Sequence, residues 1–201
     1  YYQTLLDALI VHADTPISQV AFIPEEEQRA LLVYSQHQVP QYRVQDSLPQ
    51  AFRTVVQAQP QAIAVVCQAQ QLTYEELDQQ SDALAVRLIS EGVGNDALVG
   101  LSLSRSVYLP VGILGILKAG GCYVPLDPDL PDERLRYIVE DALLENVVCD
   151  GASEARLQSV VDSTVRLMGV EQNVDPSVST ENWEDIPPAN LAYVIYTSGS
   201  T

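Results

Sequence analysis

From Asp46 onward the chain alternates two apolar patterns, and that alternation constrains its fold more than any other feature. Short runs at 62–67, 98–103, 122–126, 146–149 and 165–168 have the length and β-branched content of buried strands. Longer stretches with helical spacing stand among them. Leu48, Phe52, Val55 and Val56 follow Ser47, and Leu77, Leu84, Ala85, Leu88 and Ile89 follow Thr73. Residues 107–119 are nearly all apolar, which suits a helix buried on most sides, and 132–142 carry Leu135, Ile138 and Val139 on one side. Strands separated by helices in this way pair in parallel, with the helices on the sheet faces. The predicted class is therefore α/β, a mostly parallel sheet flanked by helices, with ligands expected at the carboxyl ends of the strands.

Punctuation agrees with this segmentation. Thr73 and Glu76 have capping-box spacing at the start of a long helix, and Gly92 and Gly94 end it. Gln68 to Gln71 turn the chain into a short returning strand at 72–74, and Gly120-Gly121 stops the apolar helix. Between Val170 and Asn190 lies an acidic, Pro/Ser/Asn-rich loop, in which Trp183 is expected to be a packing anchor. Residues 1–45 differ. Leu5, Leu6, Leu9 and Ile10 give a helical turn or two, and Pro24 followed by three glutamates starts another short helix carrying Leu31 and Leu32. With so many breakers this segment is expected to be a linker and not a core-forming unit. The domain division expected is thus 1–45 and 46–201.

Composition removes several functions. The net charge is −17, from 27 acidic and 10 basic residues. Binding to nucleic acid or to anionic membranes needs the opposite balance. No apolar stretch approaches the roughly 18 residues of a membrane span, and Tyr1-Tyr2-Gln3 has neither the basic start of a targeting peptide nor an initiating Met. The chain is accordingly expected to be cytoplasmic and a piece of something longer. Cys67, Cys122 and Cys149 sit singly in apolar segments and are expected as buried, reduced thiols. Lys118 is the only lysine; in the last turn of its helix it favours the dipole.

The final eleven residues join an apolar run, 191–196, to Thr197, Ser198, Gly199, Ser200 and Thr201. The run has the pattern of a buried strand. The small residues after it let backbone N–H groups approach an anion and add hydroxyl donors, although a polar surface turn has the same composition. Neither a Walker A pattern nor a G-x-G-x-x-G after a strand is present.

Three segments in fixed order carry a resemblance: Leu72-Thr73-Tyr74-Glu75-Glu76-Leu77, then residues 117–128 with Tyr123-Val124-Pro125-Leu126-Asp127-Pro128, then Tyr193 to Thr201. Together, over 46–201, they resemble the adenylate-forming superfamily, and within it the adenylation domains of nonribosomal peptide synthetases. The second segment, followed by Pro131, Glu133, Arg134 and Leu135, is similar to the amino-acid-activating branch. Residues 1–45 resemble the linker from an upstream condensation domain. The resemblance implies the N-terminal subdomain part of the adenylate-forming fold. It implies that Thr197, Ser198, Gly199, Ser200 and Thr201 touch the β- and γ-phosphates of ATP with Mg²⁺.

The implied reaction makes aminoacyl-AMP and passes the acyl group to a carrier-protein phosphopantetheine thiol. The expected partners are an amino acid, the rest of the adenylation domain, the carrier protein and the condensation domain. The loop's usual Gly-Lys-x-x-Gly continuation is missing from this sequence. In the family the amine-binding aspartate, adenine contacts, Mg²⁺ ligand and catalytic lysine lie downstream, so these residues alone are expected to be inactive. Leu72, Tyr74, Leu77, Gly120, Gly121, Pro125, Asp127 and Pro128 are expected to be structural. An acyl- or aryl-acid ligase of the same superfamily and a non-catalytic docking fragment are the rival readings.

Overall fold

The computed structural model describes residues 2–11, 14, 16, 20, 23–35, 46–171 and 186–197. Trp183 and most of the acidic loop lie outside the described residues. Two compact units divide at 43/44. In the first, α1 spans Tyr2–Val11 with no buried residue, and α2 spans Glu25–Ser35. The three glutamates in the first turn of α2 complement its dipole, and Glu25 pairs with Arg29 one turn on at 2.8 Å.

The second unit begins with α3 (Leu48–Ala58), where the Ser47 N–H donates to Gln50 Oε1 at 2.8 Å. Strands β1 (Ile63–Cys67) and β2 (Gln70–Thr73) form an antiparallel hairpin whose turn places Gln68 at positive φ. Next comes α4 (Tyr74–Ser90). Its capping box is formed: Glu76 N–H donates to Thr73 Oγ1 at 3.2 Å, and Thr73 N–H to Glu76 Oε2 at 2.8 Å.

The main sheet is built from β3 (Leu98–Ser102), β4 (Cys122–Pro125), β5 (Asn146–Cys149) and β6 (Arg166–Gly169), with α5 (Tyr108–Lys118), α6 (Asp132–Asp141) and α7 (Gly151–Val160) connecting them in turn. Its order is β4-β3-β5-β6, and every pairing is parallel. The path steps from β3 out to β4, crosses back to β5 and continues to β6. Right-handed crossovers then put α5 on one face and α6 and α7 on the other. Side-chain alternation shows both faces buried. Val99, Leu101 and Val148 join the cluster of α4 and α5, whereas Val124, Val147 and Cys149 join that of α6 and α7. Each such fully buried aliphatic contributes about 1.5–3 kcal/mol.

The α/β class expected from the sequence is observed, with four corrections. The helix α7 was not legible, because it opens on Gly151 and its buried Ser153, Leu157 and Val160 make a thin stripe among polar residues. Residues 191–196 are not a buried strand. They touch the sheet through one parallel bridge, Tyr123 to Tyr193, and Leu191, Tyr193 and Ile195 remain 51%, 55% and 57% exposed. The physical reason is position: the segment lies outside β4, with no further strand beyond it among the described residues, so only one of its sides is covered. Cys67 is half-buried and not buried, since it ends the two-stranded hairpin; Cys122 and Cys149 are buried in the main sheet. Burial pushes the Cys149 thiol up to about 12, with Glu154 and Asp150 adding to the effect.

Lys118 is the fourth correction. It does sit in the last turn of α5, but its side chain is fully buried and its Nζ lies 2.6 Å from both Asp78 Oδ1 and Asp82 Oδ1 of α4. It also donates to the Asp78 carbonyl at 3.0 Å and stands 5.6 Å from the Phe52 ring centroid of α3. A single cation thus joins three helices. The close approach of α4 and α5 demands Gly115, where a Cβ would come within 2.6 Å of Leu84.

Candidate functional site

The C-terminal segment reaches the sheet from the Asp96 turn. Leu191 N–H donates to Asp96 Oδ1 at 2.7 Å, and Asp96 N–H donates to the Gly120 carbonyl at 3.0 Å. Gly120 is at φ +80°, and a Cβ there would meet Asn95 Oδ1 at 2.7 Å, so glycine is required where these strands begin. Tyr123 N–H then donates to the Ala192 carbonyl, and Val194 N–H to the Tyr123 carbonyl, both at 3.1 Å. The Tyr123 and Tyr193 rings pack 5.7 Å apart.

The bridge between Tyr123 and Tyr193 is parallel. Val194 and Tyr196 pack onto the α6 face, and Thr197 is exposed. Of the five residues expected to grip phosphate, the structure describes Thr197; Ser198, Gly199, Ser200 and Thr201 lie outside the described residues.

Doubly wound sheets ordinarily take ligands where neighbouring strands send their chains to opposite faces. Here that point lies between β3 and β5, and Asp150 follows β5 there. Its Oδ2 accepts the Ser104 N–H at 2.8 Å and its Oδ1 accepts the Ser153 N–H, also at 2.8 Å, in the first turn of α7. The residue is 8% exposed. Burial alone would raise its pKa, but the donors from Ser104 and Ser153 outweigh that and hold the carboxyl below its ordinary value. The chain's own carboxylate thus ties the segment after β3 to the first turn of α7 at this point.

Beside β4 a cavity of about 540 Å³ opens at the carboxyl ends of the strands, with Leu103, Ile113 and Tyr123 among its apolar walls and Arg105, Asp127 and Asp129 among its polar ones. The loop bordering it is held by Arg156 of α7, which donates to the Pro128 and Leu130 carbonyls and pairs with Asp132 at 2.6 Å. Sequence reasoning missed both Arg156 and Asp150, because α7, which carries one and is capped by the other, was not recognised. Asp78 and Asp82 were detectable: one turn apart, they flank the buried Leu77, Ser81 and Ala85.

Among the described residues no group of three His, Cys, Asp or Glu side chains is placed to hold a metal, and no helix is long and apolar enough to cross a membrane. Thr197 is the one described residue of the expected loop, and a hydroxyl is a donor type suited to phosphate and not to Mg²⁺, which prefers carboxylates and water.

The AMP-binding enzyme family matches residues 52–201. Tyrocidine synthase 2 of Brevibacillus parabrevis is 35% identical over the whole chain, and malpinin synthetase of Mortierella alpina is 37% identical, also over the whole chain. The chain spans only 6% and 3% of those proteins' lengths. Among solved structures, holo-AB3403, a four-domain nonribosomal peptide synthetase bound to AMP and glycine, is 27% identical with a TM-score of 0.76, over 98% of this chain and 14% of that one. The synthetase FmoA3 in its AMPPNP-bound form is 25% identical with a TM-score of 0.69, over 98% of this chain and 22% of that one. This chain belongs to the AMP-binding enzyme family, and the resemblance of its three motifs to peptide-synthetase adenylation domains extends along its whole length.

Proposed function

We propose that this segment is the N-terminal portion of an amino-acid-activating adenylation domain, preceded over residues 1–45 by the linker from a condensation domain. The observation that supports the reading is the parallel bridge of Tyr193 to Tyr123 of β4, four residues before Thr197. Thr197, Ser198, Gly199, Ser200 and Thr201 hold the β- and γ-phosphates of ATP. The amino acid carboxylate attacks the α-phosphorus, the bond to the bridging oxygen breaks, and pyrophosphate leaves from the loop as aminoacyl-AMP forms. The loop's contribution is to orient the leaving group and offset its charge. Mg²⁺, when bound, neutralises phosphate charge, and its ligand comes from outside this segment. The acyl group then passes to the phosphopantetheine thiol of a carrier protein in the cytoplasm.

Amino-acid-dependent exchange between ATP and labelled pyrophosphate, measured on a longer polypeptide carrying this segment, tests the reading. Exchange should depend on one amino acid and fall about 100-fold in Thr197→Val, the cost typical of removing a donor that faces developing charge. Residues 1–201 alone should show background exchange. Exchange driven only by an acyl or aryl acid lacking an amine would overturn the amino-acid assignment.

A further inference from the structure

Backbone hydrogen bonds tie the segment that carries Thr197 to β4 at Tyr123. Among the described residues its pairing with β4 consists of the two hydrogen bonds around Tyr123, and the last of them is made by Val194. Closer to the loop the tie is a side chain. The Tyr196 phenol donates to Asp141 Oδ2 at 2.6 Å. Its ring meets the Tyr137 ring edge-on, with centroids 6.5 Å apart and planes at 88°. The Arg134 guanidinium lies 5.2 Å from the Tyr137 ring centroid.

Residues 134, 137 and 141 recur at helical spacing, so they form one stripe along α6. The opposite side of α6 is fixed in the core by Leu135, Ile138 and Val139. The stripe is therefore presented from a rigid support and contacts the residue immediately before Thr197.

We propose that Asp141 and Tyr137 are positioning residues for the phosphate-binding loop, acting through Tyr196. The inference rests on the function proposed above. Burial, together with Asp141 and Tyr137, pushes the Tyr196 phenol up to about 12, so it remains a donor throughout the neutral range. A bond from a neutral hydroxyl to a carboxylate is short and directional. Fixing the direction in which the chain enters the loop lowers the ordering cost of binding a triphosphate, and the amino acid does not share that gain.

The test uses a longer polypeptide carrying this segment and three variants: Tyr196→Phe, Asp141→Ala and Asp141→Asn. Tyr196→Phe and Asp141→Ala should each raise KM for MgATP roughly three- to tenfold, the range of one hydrogen bond to a charged group. KM for the amino acid should stay within about twofold, because the loop touches only phosphate. Asp141→Asn keeps an acceptor oxygen and should stay near the parent, and the Tyr196→Phe/Asp141→Ala double variant should be no worse than either single one. An unchanged KM for MgATP overturns the inference. So do parallel rises in both KM values with lowered thermal stability, or additive effects in the double variant. Absence of exchange in the unmutated polypeptide overturns the underlying reading, and the inference with it; normal exchange there with normal KM in the variants overturns the inference alone.

Discussion

The two faces of the parallel sheet are built for different ends. On one, α4 and α5 close over β3 in a cluster that buries Leu84, Leu88, Val111 and Ile116, and Lys118 binds α4 and α5 together from within. On the other, α6 and α7 bury a narrower stripe and leave polar side chains at their margins: Asp141 on Tyr196, and Arg156 on the loop after β4. The first face spends its one lysine on packing. The second directs its polar groups at two chain segments near β4, residue 196 and the loop after the strand. An apolar face gives rigidity without direction, whereas short polar contacts fix where a neighbouring segment points.

Lys118→Met attacks the first face and should have the largest effect. Two carboxylates, 20% and 26% exposed, would lose their cation. The expected cost is about 3 kcal/mol, the lower end for breaking a buried pair. Thermal or urea unfolding measures it, and adding Asp78→Asn and Asp82→Asn should restore most of the loss. If Lys118→Met instead raised KM for MgATP with stability intact, the division between the faces would be wrong.

Asp150→Ala acts where the faces diverge. It removes the cap of α7 and leaves the Ser104 and Ser153 N–H groups without their acceptor, at an expected cost of about 2 kcal/mol. KM for MgATP should be unaffected; a large change there would put nucleotide beside Asp150. The smallest effect is its pH dependence. The folded pKa lies below the ordinary 3.8. The stabilisation is therefore complete above that value and is lost as pH falls through the lower folded one. Acid unfolding curves of the parent and Asp150→Asn should diverge above pH 3.8 and converge below it.

Much of this was legible in the chain. Strands β3 to β6, the helices α3 to α6 and the Thr73–Glu76 box follow from local patterns: apolar periodicity, glycine stops and a short-range reciprocal hydrogen bond. The reading of the Thr/Ser/Gly ending as an anion grip rests on residue type alone and is carried by the proposed function. Helix α7 was not legible, since two buried apolar residues, Leu157 and Val160, among small and polar ones do not separate a helix from a loop. Lys118 illustrates a different limit. Its place in the last turn was readable, but its partners on α4 are 36 and 40 residues away. No local pattern encodes which helix will lie beside it.

By itself, then, the sequence determined the α/β class and the parallel pairing, because both follow from local apolar patterns. Tertiary structure alone decided three things. It placed β3 between β4 and β5, which brings Asp150 to the Ser104 N–H, 46 residues away in the sequence. It put residues 191–197 at the sheet edge instead of in its interior. It also brought Tyr196 onto Asp141, 55 residues apart. All three are contacts between distant parts of the chain, fixed by how the layers pack and not by any local preference.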